Sequence, residues 1–200
     1  MQTIATNETD STTDAAVLRR LVRERRTNLR IDRDRGVDDE VLIELCQLAS
    51  WAPNHKLTEP WRFAVVRGGA RADLGRLAAD YQRSLGEQDE ARLEKTRGKY
   101  LRAPVLMVVS CASDAAPGSG RRAEDRDAVA AGIQNLLLGA TAIGLNSYWG
   151  TGVVTSAPTV KELVGLAPQD DIIAVIYLGW PLGPVPVPER RTPVIRWLDS

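Results

Sequence analysis

The chain has few of the residues from which most catalytic and metal sites are built. It contains one histidine, two cysteines and two methionines in 200 residues. Cys46 and Cys111 are too few for a disulfide framework and lack the spacing of metal ligands. We expect both to be buried thiols in a reduced, cytoplasmic setting. With a single histidine and no cysteine pair, the sequence predicts no metal site.

An excess of charge of either sign is also missing. The 26 Lys and Arg residues balance 26 Asp and Glu residues, so no overall field attracts nucleic acid or an anionic membrane. The longest apolar stretch, residues 128–145, has Gln134 and Asn135 at its middle, which favours a buried helix over a membrane span. The sequence therefore predicts neither nucleic acid nor a membrane as a partner.

Several familiar motifs are absent as well. The sequence has no phosphate-binding P-loop, no Gly-x-Gly-x-x-Gly after a strand and no Gly-x-Ser-x-Gly elbow. These absences argue against a Rossmann dinucleotide site and against nucleophilic hydrolysis. Any chemistry would have to be carried by a bound cofactor. The cations are nearly all arginine, which suits phosphate recognition where a planar, forked donor is needed.

The pattern of apolar residues predicts one domain of mixed helices and strands. Residues 1–13 are polar and predict a disordered tail, and residues 14–200 form a single domain. Helical spacing predicts helices over 14–26, 39–52, 70–85, 87–100 and 124–144. Continuous apolar runs predict strands over 63–66, 104–111 and 172–178. Five prolines after position 180 predict an extended C-terminal arm that either wraps a neighbour or dangles. The order indicates an α/β or α+β domain.

The helix predicted over 124–144 is rich in small residues, including Gly132 and Gly139. Glycine is unfavourable in a helix interior by roughly 1 kcal/mol, so its use there needs a reason. We interpret it as close backbone packing, either against another helix or against a ligand.

Four polar segments are candidates for a site, and each has a plain structural alternative. Residues 51–63 connect a helix to a strand and carry His55, so they form either a ligand-binding loop or a packed connector with Trp51 and Trp61 in the core. Arg25, Arg26 and Thr27 form either a phosphate site or a solvated helix end. Residues 146–152 form either a glycine-rich contact with a ligand or an ordinary strand and turn. Residues 189–192 form either a phosphate clamp or a solvated run of charged residues.

Taken in this order, the segments resemble the flavin-dependent nitroreductase family, in its short single-chain NAD(P)H nitroreductase branch. The resemblance covers about residues 16–195. The motifs that carry it are Arg25-Arg26-Thr27, Trp51-Ala-Pro-Asn-His-Lys with Pro60-Trp-Arg-Phe63, Arg102-Ala-Pro104, Tyr148-Trp-Gly-Thr-Gly152 and Tyr177-Leu-Gly-Trp-Pro181. Each motif is weak alone, and five in register make the match specific.

The resemblance implies an α+β fold with a central mixed β-sheet and a C-terminal arm exchanged across a homodimer. It implies FMN at the subunit interface, NAD(P)H as reductant, and hydride transfer through the flavin to a small, flat, electron-poor acceptor such as a nitroaromatic or a quinone. No catalytic side chain is required. The residues implied to bind the cofactor are Arg25, Arg26 and Thr27 at the phosphate and ribityl chain, Trp51 and His55 from the other subunit, Trp149, Gly150 and Thr151 along the ring, and Arg191 or Arg190 at the phosphate.

One departure leaves other functions open. Close relatives carry Arg-Ser where Gly150-Thr151 follows Trp149, and the loss of that charge could change cofactor affinity or nicotinamide preference. The alternatives are a flavin-binding or storage protein without turnover, and an FMN-dependent oxidase or dehydrogenase of a specialised metabolite.

Overall fold

The computed structural model describes residues 8–186 and 188–198, with side chains from Thr13 onward. Its helices are α1 (Glu8–Glu24), α2 (Asp39–Ser50), α3 (Ala70–Ser84), α4 (Glu90–Lys99), α5 (Gly120–Ala142) and α6 (Pro158–Leu163). Its strands are β1 (Trp61–Arg67), β2 (Val105–Cys111), β3 (Asn146–Gly150) and β4 (Asp171–Gly179). The predicted α+β fold is confirmed, and each predicted strand lies within or next to an observed one.

The four strands form one sheet in the order β1-β2-β4-β3, with antiparallel pairing at every step. This differs from the mixed sheet that we expected. Two helices, α3 and α4, connect β1 to β2, and such a pair returns the chain to the end of the sheet that it left. The next strand must then run in the opposite direction. The parallel pairing that is present is an isolated bridge between Thr27 and Ser147.

Strand β2 is the centre of the domain, because all seven of its residues are buried. Alternate residues of a strand point to opposite faces of the sheet. Val105, Met107 and Val109 face a core formed with α2 and α5. Leu106 and Val108 face a second core that includes residues of α3 and α6. The continuous apolar run of the sequence therefore reflects burial on both faces.

Helix α5 uses its glycines to approach α2 closely. A Cβ atom on Gly132 would lie 2.6 Å from the carbonyl oxygen of Ala49, and one on Gly139 would lie 2.5 Å from Cδ1 of Leu48. Both distances are shorter than a van der Waals contact allows. Gly132 and Gly139 thus allow close packing against another helix, and the alternative that they pack against a ligand is not needed to explain them.

Some boundaries differ from the prediction. Helix α1 begins at Glu8, six residues before the helix start that we predicted at residue 14. Residues 1–7 of the predicted tail lie outside the described part of the chain. Helix α5 begins at Gly120 because the hydroxyl of Ser119 accepts the Arg122 N–H at its first turn. In the described part of the arm, 181–186 and 188–198, no helix or strand forms apart from the bridge between Ile31 and Pro181. None of the described helices has the length and apolar character needed to cross a membrane.

Candidate functional site

The end of α1 forms one wall of a cleft of about 460 Å³ that is lined by four arginines, the first of which is Arg23 in the last turn of α1. Arg25 and Arg26 follow the last residue of α1, and Arg190 reaches the same cleft from the C-terminal arm. Gln134 lines it from the middle of α5. The structure therefore brings together two segments, 25–26 and 190, that are far apart in the sequence.

The cationic groups of this cleft have no acidic partner among the described residues that line it. Burial, followed by the nearby guanidinium groups of Arg26 and Arg190, lowers the pKa of Arg25. The Nη1 group of Arg26 donates to the carbonyl oxygen of Arg25 at 2.6 Å, but its buried Nε has no hydrogen-bond partner. Repulsion among cations and an unmet donor would both be relieved by an anion with several oxygen atoms.

The next two residues tie this cleft to the edge of the sheet. Thr27 forms the parallel bridge with Ser147, and the backbone N–H of Asn28 donates to the carbonyl oxygen of Ser147 at 2.9 Å. Asn28 is buried, its Oδ1 accepts the N–H of Arg30 at 2.8 Å, and its Nδ2 has no partner. The arginine segment and the start of β3 are thus neighbours, and Asn28 supplies a further unmet donor there.

Strand β3 places its residues on two faces. Trp149 is half-buried against the core formed by α2 and α5. Gly150 is buried on the opposite face, where a Cβ atom would lie 3.0 Å from Cε2 of Tyr177. An arginine at position 150 would therefore have to displace the tyrosines Tyr148 and Tyr177. Thr151 follows the strand and is exposed.

The two tryptophans that flank the loop have different surroundings. Trp61 is buried, and its Nε1 donates to the carbonyl oxygen of Ala128 at 3.2 Å. Trp51 is 84% exposed at the C-terminal end of α2. The connector interpretation therefore holds for Trp61 and is wrong for Trp51, which is free to contact a ligand or another chain.

His55 lies on the rim of a second cleft, of about 550 Å³, between this loop and α5. The carboxylates of Glu124 and Asp127 line the same cleft. Lys56, Leu57 and Glu59 all have left-handed backbone conformations, with φ of 63°, 50° and 48°. That conformation is unfavourable by about 1–2 kcal/mol for a residue other than glycine, and such strain is concentrated at functional sites.

The two clefts lie along one side of α5. Asp127 and Ala131 line the cleft at His55, and Gln134 lines the arginine cleft. Residues spaced by three or four positions share a helix face. Within one chain, neither Trp51 nor His55 lines the arginine cleft. Arg191 does not line it either and is exposed on the arm. The cofactor-binding roles expected for Trp51, His55, Arg191 and Thr151 stay predictions.

Sequence reasoning missed the contribution of Gln134, and it gave the amide of Asn28 no role of its own within the candidate phosphate segment. The polar pair at the middle of the apolar helix was the available signal for Gln134. Asn28 could not be singled out, because the burial of its amide depends on β3. In the described part of the chain, no group of three or more His, Cys, Asp and Glu side chains could hold a metal ion.

Together these features define an α+β domain with an arginine-lined cleft suited to a phosphate-bearing ligand. The chain belongs to the nitroreductase family, whose family model matches residues 22–180. It is 30% identical over 191 residues to "Putative NAD(P)H nitroreductase YfhC" of Bacillus subtilis, with 94% of this chain and 95% of that protein covered.

Solved structures agree with this assignment. A nitroreductase-like family protein from Bacillus cereus superposes with a TM-score of 0.74 at 28% identity, covering 96% of this chain and 95% of that one. A structure from Desulfovibrio desulfuricans described as a complex with FMN superposes with a TM-score of 0.64 at 26% identity, covering 95% and 94% of the two chains.

Proposed function

We propose that the protein is an FMN-dependent NAD(P)H oxidoreductase that passes hydride to a small, flat, electron-poor acceptor such as a nitroaromatic or a quinone. Family membership, the name of the Bacillus subtilis relative and the FMN complex of the Desulfovibrio desulfuricans protein support this. The observation that carries the proposal is the cleft in which Arg25, Arg26 and Arg190 meet without a carboxylate among the described lining residues.

The residues present fit the phosphate end of FMN. A phosphate dianion in the cleft would offset the repulsion between the guanidinium groups and accept a hydrogen bond from the buried Nε of Arg26. The hydroxyl of Thr27 and the free Nδ2 of Asn28 would donate to the ribityl chain beside β3. Burial makes these bonds stronger than they would be in water.

When bound, the flavin supplies the redox chemistry, accepting hydride from NAD(P)H and passing two electrons to the acceptor. The chain itself orients the stacked reactants and limits access of water, and no side chain has to act as an acid or a base. Trp149, Gly150 and Thr151 would lie along the ring. Trp51 and His55 would contact the ring bound to the partner subunit, since they lie outside the arginine cleft of their own chain.

The proposed assembly is a homodimer. Large apolar side chains are exposed on α1, α2, the loop and the arm, namely Val17, Leu18, Val22, Ile43, Trp51, Leu57, Val194, Ile195, Trp197 and Leu198. So much apolar surface marks an interaction site in a protein of this size. A second copy of the chain would cover it and complete the ligand site with Trp51 and His55.

The arm has a suitable receiving surface on the partner. An apolar groove of about 420 Å³ lies between α2 and the edge strand β1, lined in part by Leu42, Ile43, Cys46 and Val65. The described part of the arm forms no helix or strand, and Ile195 and Trp197 are 60% and 78% exposed. We propose that the arm of the partner subunit docks there, which exchanges the two arms across the dimer.

Visible spectroscopy tests the function directly. The purified protein, or the apoprotein titrated with FMN, should show flavin absorbance, and anaerobic NADH or NADPH should bleach it. Fast reduction would also exclude storage without turnover. Protein that binds no FMN and consumes no NAD(P)H would contradict the proposal.

We also propose that the protein is located in the cytoplasm. Its two free cysteines agree with a reducing compartment of this kind.

Sedimentation measurements test the assembly. The wild type should sediment as a dimer, and Ile195→Asp with Trp197→Asp should shift it toward the monomer, because charge in the groove is unfavourable. The exposed helix substitution Lys95→Asp is a control on the charge change alone, since Lys95 lies on α4, away from both surfaces. A monomeric wild type would contradict the proposed dimer.

A further inference from the structure

The loop that carries His55 is anchored to α5 by one buried carboxylate. Asp125 is only 3% exposed. Its Oδ1 accepts the hydroxyl of Thr58 at 2.5 Å, and its Oδ2 accepts the hydroxyl of Ser113 at 2.5 Å. The two oxygens of one side chain thus hold the loop and the segment after β2 at the same point of the helix.

The anchoring continues from Thr58 into the backbone of the loop. The Nδ2 of Asn54 donates to Oγ1 of Thr58 at 3.1 Å, and the Oδ1 of Asn54 accepts the backbone N–H of Glu59 at 2.8 Å. A connected chain of hydrogen bonds therefore joins Asp125, Thr58 and Asn54. Because Asn54 bonds to Thr58 and Glu59, residues 55–57 lie in a loop that is tied at both of its ends.

Apolar burial does not hold those residues. His55 and Lys56 are exposed, and Leu57 is 82% exposed. Lys56, Leu57 and Glu59 nevertheless keep left-handed conformations that are unfavourable for their side chains. A strained segment persists only where its surroundings determine its conformation. The hydrogen bonds from Asp125, Thr58 and Asn54 tie the loop to α5, and the guanidinium group of Arg62 adds a bond to the carbonyl oxygen of Glu59 at 3.0 Å.

We propose that Asp125 is a positioning residue, which holds residues 54–59 in the conformation that presents His55 to the ligand site. Its carboxylate acts through Thr58 and touches no reactant. The part of this inference that concerns the ligand rests on the proposed function. The part that concerns the conformation of the loop does not.

Amide hydrogen exchange of the whole protein tests the conformational part. In Asp125→Asn one oxygen becomes an N–H donor, so one of the two hydroxyls loses its acceptor. Exchange across residues 54–59 should become roughly tenfold faster, while amides of β2 and β4 keep their rates. Thr58→Val should do the same, and Thr58→Ser, which keeps the hydroxyl, should restore the rate of the wild type.

Asp170→Asn is the matched control. Asp170 is also a buried aspartate, but its carboxylate accepts the N–H of Ala167 in the turn before β4. This variant should leave exchange at 54–59 unchanged. The proposal is overturned if neither Asp125→Asn nor Thr58→Val accelerates exchange in the loop, or if both accelerate it equally throughout the sheet.

Steady-state kinetics with NADPH and a quinone test the ligand part. Asp125→Asn should raise KM for the acceptor by roughly tenfold with kcat changed much less, because the loop positions a ligand and takes no part in the chemistry. A KM equal to that of the wild type, in a variant whose loop exchanges faster, would overturn the ligand part. If the wild type binds no FMN, the proposed function fails, and the exchange result still decides the role of Asp125.

Discussion

Arg122, which belongs to helix α5, and the arginines that lie beside this helix have opposite surroundings. Arg122, in the first turn of α5, is buried and its guanidinium group is satisfied on all sides. It bonds to Asp171 at 3.1 Å, to the carbonyl oxygens of Ser113 and Ala115, and to that of Gln169. Arg25 and Arg26, beside Gln134 in the second half of α5, share their cleft with two further arginines and with no carboxylate among its described lining residues.

This difference separates a structural arginine from one that binds a ligand. A buried guanidinium group is tolerated when each N–H finds an acceptor within the protein. Arg122 meets that condition and fastens the loops at 113–115 and 169–171 together. Arg26 does not meet it, because its buried Nε lacks a partner. An unmet donor that the fold retains is explained when the acceptor comes from a ligand.

Of the substitutions compared, the replacement of Arg122 should cause the largest change in free energy, and it should do so by lowering the stability of the fold. Arg122→Met leaves three carbonyl oxygens without their donor and leaves Asp171 with Arg126 as its cationic partner, so we expect a loss of about 3 kcal/mol in the free energy of unfolding. Urea denaturation measures it. The folded fraction should bind FMN as the wild type does. A stability loss below that of the exposed variant Arg121→Met would contradict the structural role.

Removing an unsatisfied arginine should instead spare stability and weaken the ligand. For Arg26→Ala we expect FMN binding to weaken by about 1.5–3 kcal/mol, which corresponds to one lost charge-assisted hydrogen bond. Fluorescence titration of the apoprotein with FMN measures the affinity, and urea denaturation should show no loss of stability. Arg26→Lys keeps the charge and should recover part of the affinity. Unchanged affinity in Arg26→Ala would remove Arg26 from the site.

The arm offers a matched pair that sharpens the comparison further. Arg190 lines the cleft, whereas its neighbour Arg191 does not. We expect Arg190→Ala to weaken FMN binding by about 1 kcal/mol, less than Arg26→Ala because Arg190 is exposed to solvent. Arg191→Ala should have a smaller effect. The reverse order in the same titration would show that Arg191 is the phosphate ligand that the family resemblance implied.

The stabilisation of the apoprotein by inorganic phosphate is the last of these predictions, and its expected shift in unfolding temperature is the most modest signal. At tenfold excess over its dissociation constant, phosphate should stabilise the apoprotein by about 1.4 kcal/mol. Thermal unfolding measures the shift against sodium chloride of equal ionic strength. The shift should vanish in Arg25→Ala with Arg26→Ala. An equal shift in that double variant would place the binding elsewhere.

Much of the fold could be predicted because its signals are local. The runs at 104–111 and 172–178 predicted β2 and β4 closely, since a strand that is buried on both faces is almost continuously apolar. The small residues of α5 predicted close packing, although only the structure identified α2 as the partner. The starts of α1 and α5 were missed. A polar helix end such as 8–13 has no apolar periodicity to reveal it.

The candidate site was less predictable. Arg25, Arg26 and His55 were found from their motifs, but the opposite surroundings of Trp51 and Trp61 were not. Nor did any pattern indicate Asp125, which looks like one of several acidic residues at the start of α5. Asp125 is important because it accepts hydrogen bonds from Thr58 and Ser113. Thr58 lies 67 positions away in the sequence, and Ser113 lies outside helix α5.

The sequence by itself determined the mixture of helices and strands and the segments that carry polar groups, because these depend on periodicity and short motifs. The resemblance of those motifs to the nitroreductase family added the α+β class. The tertiary structure decided which arginine is satisfied and which keeps an unmet donor, which tryptophan is exposed, and which carboxylate anchors the loop at His55. Those properties depend on partners brought together across the fold. A guanidinium group has the same chemistry at Arg122 and at Arg26, and only the acceptors around it distinguish structure from binding.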